Sequence, residues 1–167
     1  GTNNGEVRVW DLTDYACISL YKVVKSGACL CLSLVDNSNI LSGWQDGFVR
    51  CTNSGGQMLW CIANAHRDGV QSISSSVNPD LGYFATGGGD GAVRIWKYYN
   101  RELVTQYSEH RKGVHHVKID DASSNIVHSV GGDNSVLSYD LKTNRRLIGH
   151  TFSGGQLLSL SQRIDSE

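Results

Sequence analysis

The sequence predicts an all-β chain assembled from repeated four-stranded sheets. Three observations carry that reading: a hairpin-like segment that returns about every 43 residues, short runs of β-branched and aromatic residues, and heavy glycine usage. Glycine supplies 19 of the 167 residues while proline occurs once. That is about 11% glycine against a usual 7% or so, which calls for many tight turns.

The repeat sets the order of elements. Gly5-Glu-Val-Arg-Val-Trp10 returns as Gly47-Phe-Val-Arg-Cys-Thr52, as Gly91-Ala-Val-Arg-Ile-Trp96 and as Asn134-Ser-Val-Leu-Ser-Tyr139, at spacings of 42, 44 and 43 residues. A matching turn precedes each of the last three: Ser42-Gly-Trp-Gln-Asp46, Thr86-Gly-Gly-Gly-Asp90 and Ser129-Val-Gly-Gly-Asp133. A further marker, Ala65-His66, Glu109-His110 and Gly149-His150, keeps similar time. Within one unit the runs at 70–73, 83–86, 92–96 and 103–107 read as strands, separated by Asn78-Pro79-Asp80, the glycines 87–91 and Asn100. Four short strands per unit of this length describe one blade of a β-propeller. A lone sheet would expose two apolar faces, so blades stack face to face around an axis. The expected units are the end of one blade (1–22), three full blades (23–65, 66–109, 110–150) and the start of another (151–167). Closure takes about 4–8 blades, so the chain is expected to be part of a longer, here incomplete, propeller.

These motifs resemble the WD40 repeat family along nearly the whole chain. The resemblance implies a structural tetrad of His66, Thr86, Asp90 and Trp96, in which the buried imidazole is hydrogen-bonded on both sides. In the next unit it implies His110, Ser129 and Asp133, with Tyr139 in place of the tryptophan. The unit at 23–65 departs further. Val24 stands where His is expected and Thr52 where Trp is, leaving Ser42 and Asp46, so that blade is expected to rely more on apolar packing.

Composition excludes several functions. Fifteen Lys and Arg against sixteen Asp and Glu give a net charge of −1, which argues against a nucleic-acid binder. No apolar run approaches the roughly 18 residues of a membrane span, and no signal peptide opens the chain. Five cysteines, an odd count, point to reduced thiols. Cys29 and Cys31, two apart on a strand, are expected to point the same way as small buried residues rather than as half a zinc site.

Candidate chemistry dissolves on inspection. His66, Asp90 and Thr86 mimic a hydrolase triad, yet the constellation recurs one repeat later, as a scaffold motif does and a catalytic site does not. Gly87 to Ala92 fits a relaxed dinucleotide fingerprint but precedes a strand, where phosphate binding needs a helix. His115 and His116 are expected on opposite faces of a strand, unable to share a metal. Asp120-Asp121 reads as a solvated turn rather than a calcium site. No catalytic, cofactor or metal residue is assigned, and no small-molecule substrate. The remaining reading is a non-enzymatic interaction platform, a step that rests on fold analogy.

One position breaks the repeat. Trp44 replaces the glycine found at 88 and 131, next to Gln45 and, by the resemblance, on the same face as Arg67, Arg111 and Lys112. It is either a plug against the neighbouring loop or an exposed anchor for a partner, with the basic residues around it. The run from Ser42 to Arg50, then Asn64 to Val70, then Gly87 to Trp96, resembles the later blades of axonemal WD-repeat proteins. That resemblance implies a cytoskeletal protein of the cilium or flagellum, bound inside doublet microtubules to tubulin and neighbouring axonemal proteins. A cytoplasmic adaptor, such as a ubiquitin-ligase substrate receptor or signalling scaffold, is the competing class, and a propeller enzyme with its site elsewhere is a third.

Overall fold

Strands and turns alternate along the chain in a computed structural model that describes residues 1–36, 38–76, 82–123 and 125–161. The predicted turn Asn78-Pro79-Asp80 lies outside the described residues. The strands are β1 (Glu6–Trp10), β2 (Cys17–Lys22), β3 (Cys29–Leu34), β4 (Asn39–Trp44), β5 (Val49–Asn53), β6 (Met58–Ile62) and β7 (Val70–Ser75). They continue as β8 (Tyr83–Gly88), β9 (Val93–Lys97), β10 (Leu103–Tyr107), β11 (Val114–Ile119), β12 (Ile126–Gly131), β13 (Ser135–Asp140) and β14 (Arg145–Thr151). No helix occurs among the described residues.

Each sheet is an antiparallel meander in chain order. The β1–β2 pair is followed by sheets β3–β6, β7–β10 and β11–β14. Register follows from the glycine turns: Ser42 pairs with Arg50 and Thr86 with Arg94 across equivalent hairpins. Gly47, at φ +81, sits where a Cβ would lie 1.9 Å from the His66 carbonyl oxygen, so only glycine fits that corner. Alternation of direction puts the β4–β5, β8–β9 and β12–β13 turns at one end of the sheets. The connections between successive sheets, 23–28, 63–69 and 108–113, lie at that same end.

The core lies between sheets. Leu41, Val49 and Cys51 of one sheet meet Val70, Ile73 and Phe84 of the next. Ala85, Val93 and Ile95 then meet Val114, Val117 and Val127. Serines stitch the first strands of neighbouring sheets together: Ser72 Oγ accepts the Val117 N–H at 3.1 Å and Ser74 Oγ the Ile119 N–H at 3.0 Å. Ser33 Oγ likewise accepts the Ser75 N–H at 3.2 Å.

Two local expectations change. A register shift between Cys29 and Cys31 sends Cys29 toward Val7 and Trp44 and Cys31 toward the β7 sheet, so they do not share a face. A similar shift at Val114/His116 brings both histidines to one downstream stretch, His115 Nδ1 against the Leu157 carbonyl (2.9 Å) and His116 Nδ1 near Ser159 Oγ (3.4 Å). In both places a bulge breaks the two-residue alternation of a regular strand.

Candidate functional site: the turn end of the sheets

The third sheet carries the fullest polar chain. His66 is buried, with Nδ1 2.8 Å from Asp90 Oδ1 and Nε2 2.8 Å from Thr86 Oγ1. Trp96 Nε1 donates to the same Thr86 hydroxyl at 2.9 Å. A carboxylate only accepts, so Nδ1–H donates to Asp90, the Thr86 hydroxyl donates to Nε2, and the indole N–H fills the hydroxyl's acceptor side. Burial lowers the His66 pKa against the pull of Asp90, which keeps the imidazole neutral as this arrangement requires. Burial acts to raise Asp90, but hydrogen bonds from His66 and Arg94 hold it well below the usual carboxylate range.

Arg94 was not singled out in the sequence, yet it closes this site. Its Nη1 donates to Asp90 Oδ2 at 2.9 Å and to the Ala65 carbonyl at 3.1 Å. The signal was present: an Arg stands four residues after the turn Asp at both Asp46/Arg50 and Asp90/Arg94. In the fourth sheet Leu137 takes that place, and Ser135 Oγ bonds Asp133 at 2.6 Å instead. There His110 lies 3.0 Å from Asp133 and 2.8 Å from Ser129 Oγ. Tyr139 is fully buried and stacks on Tyr107 with ring centroids 3.9 Å apart.

The second sheet holds a different polar chain. Trp44 is fully buried, and its Nε1 donates to Ser42 Oγ at 2.8 Å. Arg50 lies with its guanidinium carbon 5.0 Å from the Trp44 ring centre and 4.8 Å from that of Phe48, and pairs with both oxygens of Asp46 (3.1 and 2.7 Å). Of the two readings of Trp44, the geometry is that of the plug: the indole packs among Val7, Cys29, Tyr21 and Val23 and offers no surface to a partner. Beside the apolar packing expected of this sheet stands a hydrogen-bonded and ion-paired chain of its own.

The position of the missing histidine also moves. His66 N–H bonds the Gly47 carbonyl (3.1 Å), and in the second sheet the residue bonding the equivalent Gly5 carbonyl is Val23 (3.0 Å), not Val24. Residues 23–29 span two more than residues 66–70, which shifted the alignment, and Val24 is exposed. At the far end, the N–H of Phe152 bonds the Asn134 carbonyl, so Phe152 occupies the histidine position while His150 lies exposed in β14.

The remaining candidate residues are on the surface at this end. Gln45 is exposed and its Oε1 accepts the Ala28 N–H at 3.2 Å. Arg67 has 84% of its side chain exposed, 3.6 Å from Asp68. Arg111 and Lys112 are exposed, and among the described residues neither side chain enters an ion pair. Their loops are pinned from below, because Asp90 Oδ2 accepts the Arg67 N–H (3.3 Å) and Asp133 Oδ2 the Arg111 N–H (2.8 Å). The cations are thus exposed tips on hydrogen-bonded loops. Burial pushes up the thiols of Cys29 and Cys51, which are buried, and of half-buried Cys31, away from reactive thiolates.

Comparison with known proteins agrees with this architecture. The family described as "WD domain, G-beta repeat" matches residues 58–97. Cilia- and flagella-associated protein 52 of Bos taurus is 28% identical over 146 residues, covering 84% of this chain and 23% of that protein. The protein of the same name from Chlamydomonas reinhardtii is 31% identical over 156 residues, covering 89% of this chain and 25% of its own length. The chain therefore spans about a quarter of the length of these relatives. Among solved structures, the RRP9 WD40 repeats superpose with a TM-score of 0.73 at 20% identity, over 81% of this chain and 42% of that one. U3-55K superposes with a TM-score of 0.82 at 15% identity, over 92% and 48%. With its recurring four-stranded sheets, its turn-end polar chains and a matched repeat at 58–97, this chain has the fold of a WD40-repeat β-propeller and is similar to cilia- and flagella-associated protein 52.

Proposed function

We propose that this chain works as a non-catalytic scaffold of the cilium or flagellum, docked in the axoneme on tubulin of the doublet microtubule and on neighbouring axonemal proteins. The observation that carries the reading is the set of exposed cations at the turn end: Arg111 and Lys112, which enter no ion pair among the described residues, and one sheet earlier Arg67, 3.6 Å from Asp68. Acidic surfaces such as tubulin's complement that charge, and Gln45 adds a neutral hydrogen-bonding group beside it. The names of the relatives supply the ciliary setting. Trp44 has no part in this interface.

The test is charge reversal in the full-length protein, Arg111→Glu with Lys112→Glu, followed by salt extraction of detergent-treated axonemes. Wild type is expected to stay with the axoneme, and the variant to leave at lower salt with an unchanged melting temperature. Retention of the variant at wild-type salt would remove this face from the interface. Absence of wild type from axonemes, with capture of a cullin-type ligase, would instead support the adaptor reading.

A further inference from the structure

At the opposite end of the sheets from Arg67 and Arg111, a cleft of about 200 Å³ opens between the second and third sheets. Its walls are Val35 and Asp36 after β3, Tyr83 and Phe84 at the start of β8, and Tyr98 and Tyr99 after β9. Three of the chain's seven tyrosines converge here. Tyr98 is set edge-on to Trp60, centroids 5.5 Å apart, and its hydroxyl lies 3.5 Å from Cys51 Sγ, so its ring is fixed. Tyr99 stands edge-on to Tyr98 at 5.6 Å and is 74% exposed at the mouth.

Among the described residues lining the cleft, Asp36 supplies the only carboxylate. The backbone N–H groups of Ser38 and Asn39 and the Asn39 amide bond to it at 2.7, 2.7 and 2.8 Å. These bonds hold its pKa below the usual range, so it stays charged. No cation among the described residues pairs with it.

We propose that this cleft receives a cationic side chain, lysine or arginine, presented by a protein partner. Aromatic faces are electron-rich and attract a cation within about 6 Å, and the Asp36 carboxylate adds a full opposite charge. Apolar walls suit the methylene stem behind such a charged head. An anionic ligand would meet a carboxylate with no countercharge, and a neutral one would leave that carboxylate unmatched. The inference stands apart from the ciliary assignment and from the basic end of the sheets.

The probes are n-butylammonium and ethylguanidinium, with n-butanol as the neutral control, titrated into the full-length protein and followed by the Tyr98 and Tyr83 ring resonances, which every variant keeps. Both cations are expected to give saturable shifts and the alcohol a much weaker response. Tyr99→Ala and Asp36→Asn should each weaken cation binding by about fivefold, whereas Tyr99→Phe, which keeps the ring face, should retain it. Tyr99 is largely exposed, so its replacement leaves the fold intact. Absence of saturation with both cations, equal binding of the alcohol, or indifference to Tyr99→Ala and Asp36→Asn would each overturn the proposal.

Discussion

A Cβ on Gly88 would lie 2.0 Å from His66 Nδ1, so this glycine and this histidine require one another. One sheet earlier both have changed. Trp44 stands at the glycine position, Val23 at the histidine position, and the indole N–H reaches Ser42 as the imidazole reaches Thr86. The two sheets reach the same end, a buried polar chain behind the turn, by exchanging which segment supplies the ring: the connection before β7 for His66, β4 for Trp44.

Trp44→Ala should therefore act on stability. Loss of a fully buried indole costs about 3–5 kcal/mol. Urea unfolding of the full-length protein checks this. Near-normal unfolding would contradict the plug.

Gly88→Ala should cost about 1–3 kcal/mol, because the new methyl must displace a hydrogen-bonded ring. Combined with His66→Val, which clears the space, the two losses should sum to more than the double variant shows. A double-mutant cycle on unfolding free energy measures this. Additive losses would contradict the mutual requirement.

Acid should weaken the third sheet in two stages. The His66 pKa is depressed in the fold from an ordinary 6.5, so the unfolded chain takes up a proton first and stability falls as pH drops below that value. Asp90 is depressed from 3.8, so its contribution is present above that value and is lost as pH falls further. Unfolding midpoints between about pH 7.5 and 5 should decline in wild type and decline less in His66→Gln. Equal slopes would show that His66 does not carry the effect.

Asp46→Ala should also be costly, about 2–3 kcal/mol, since it strands the Arg50 guanidinium, whose side chain is only 9% exposed. Unlike His66→Gln, it should leave the decline between pH 7.5 and 5 unchanged in slope. The same titration of unfolding midpoints decides between them.

Much of the fold was legible because the hairpins before β5, β9 and β13 share a punctuation: a turn ending in an aspartate (Asp46, Asp90, Asp133) and a valine three residues later (Val49, Val93, Val136). The third sheet's polar chain could be read because His66, Thr86, Asp90 and Trp96 keep the full pattern. Elsewhere the pattern lost its anchors. Val24 falls at the histidine's place by repeat spacing although Val23 holds it, because two additional residues before Cys29 leave no mark in the sequence. His150 kept time with His110 by coincidence of spacing, although Phe152 holds the backbone position. The fate of Trp44 depended on the space left by an absent imidazole, which no spacing reveals. A register shift recurs at the start of β3, β7 and β11, and alternation within one strand does not reveal it.

The serines on β3 and β7 have a consequence for association. The first strand of a sheet ordinarily presents a row of open N–H groups, a template on which a foreign strand can add. Here Ser72 and Ser74 occupy the N–H groups of Val117 and Ile119, and Ser33 that of Ser75. A strand seeking to add along β11 would first have to displace hydroxyls already held in place by the neighbouring sheet. The amides of Val117 and Ile119 should accordingly exchange with deuterium at rates typical of a sheet interior, and Ser72→Ala should free the first while leaving the second protected. Protection against misassociation is thus carried from each sheet to the next by side chains, without any closing strand on that edge.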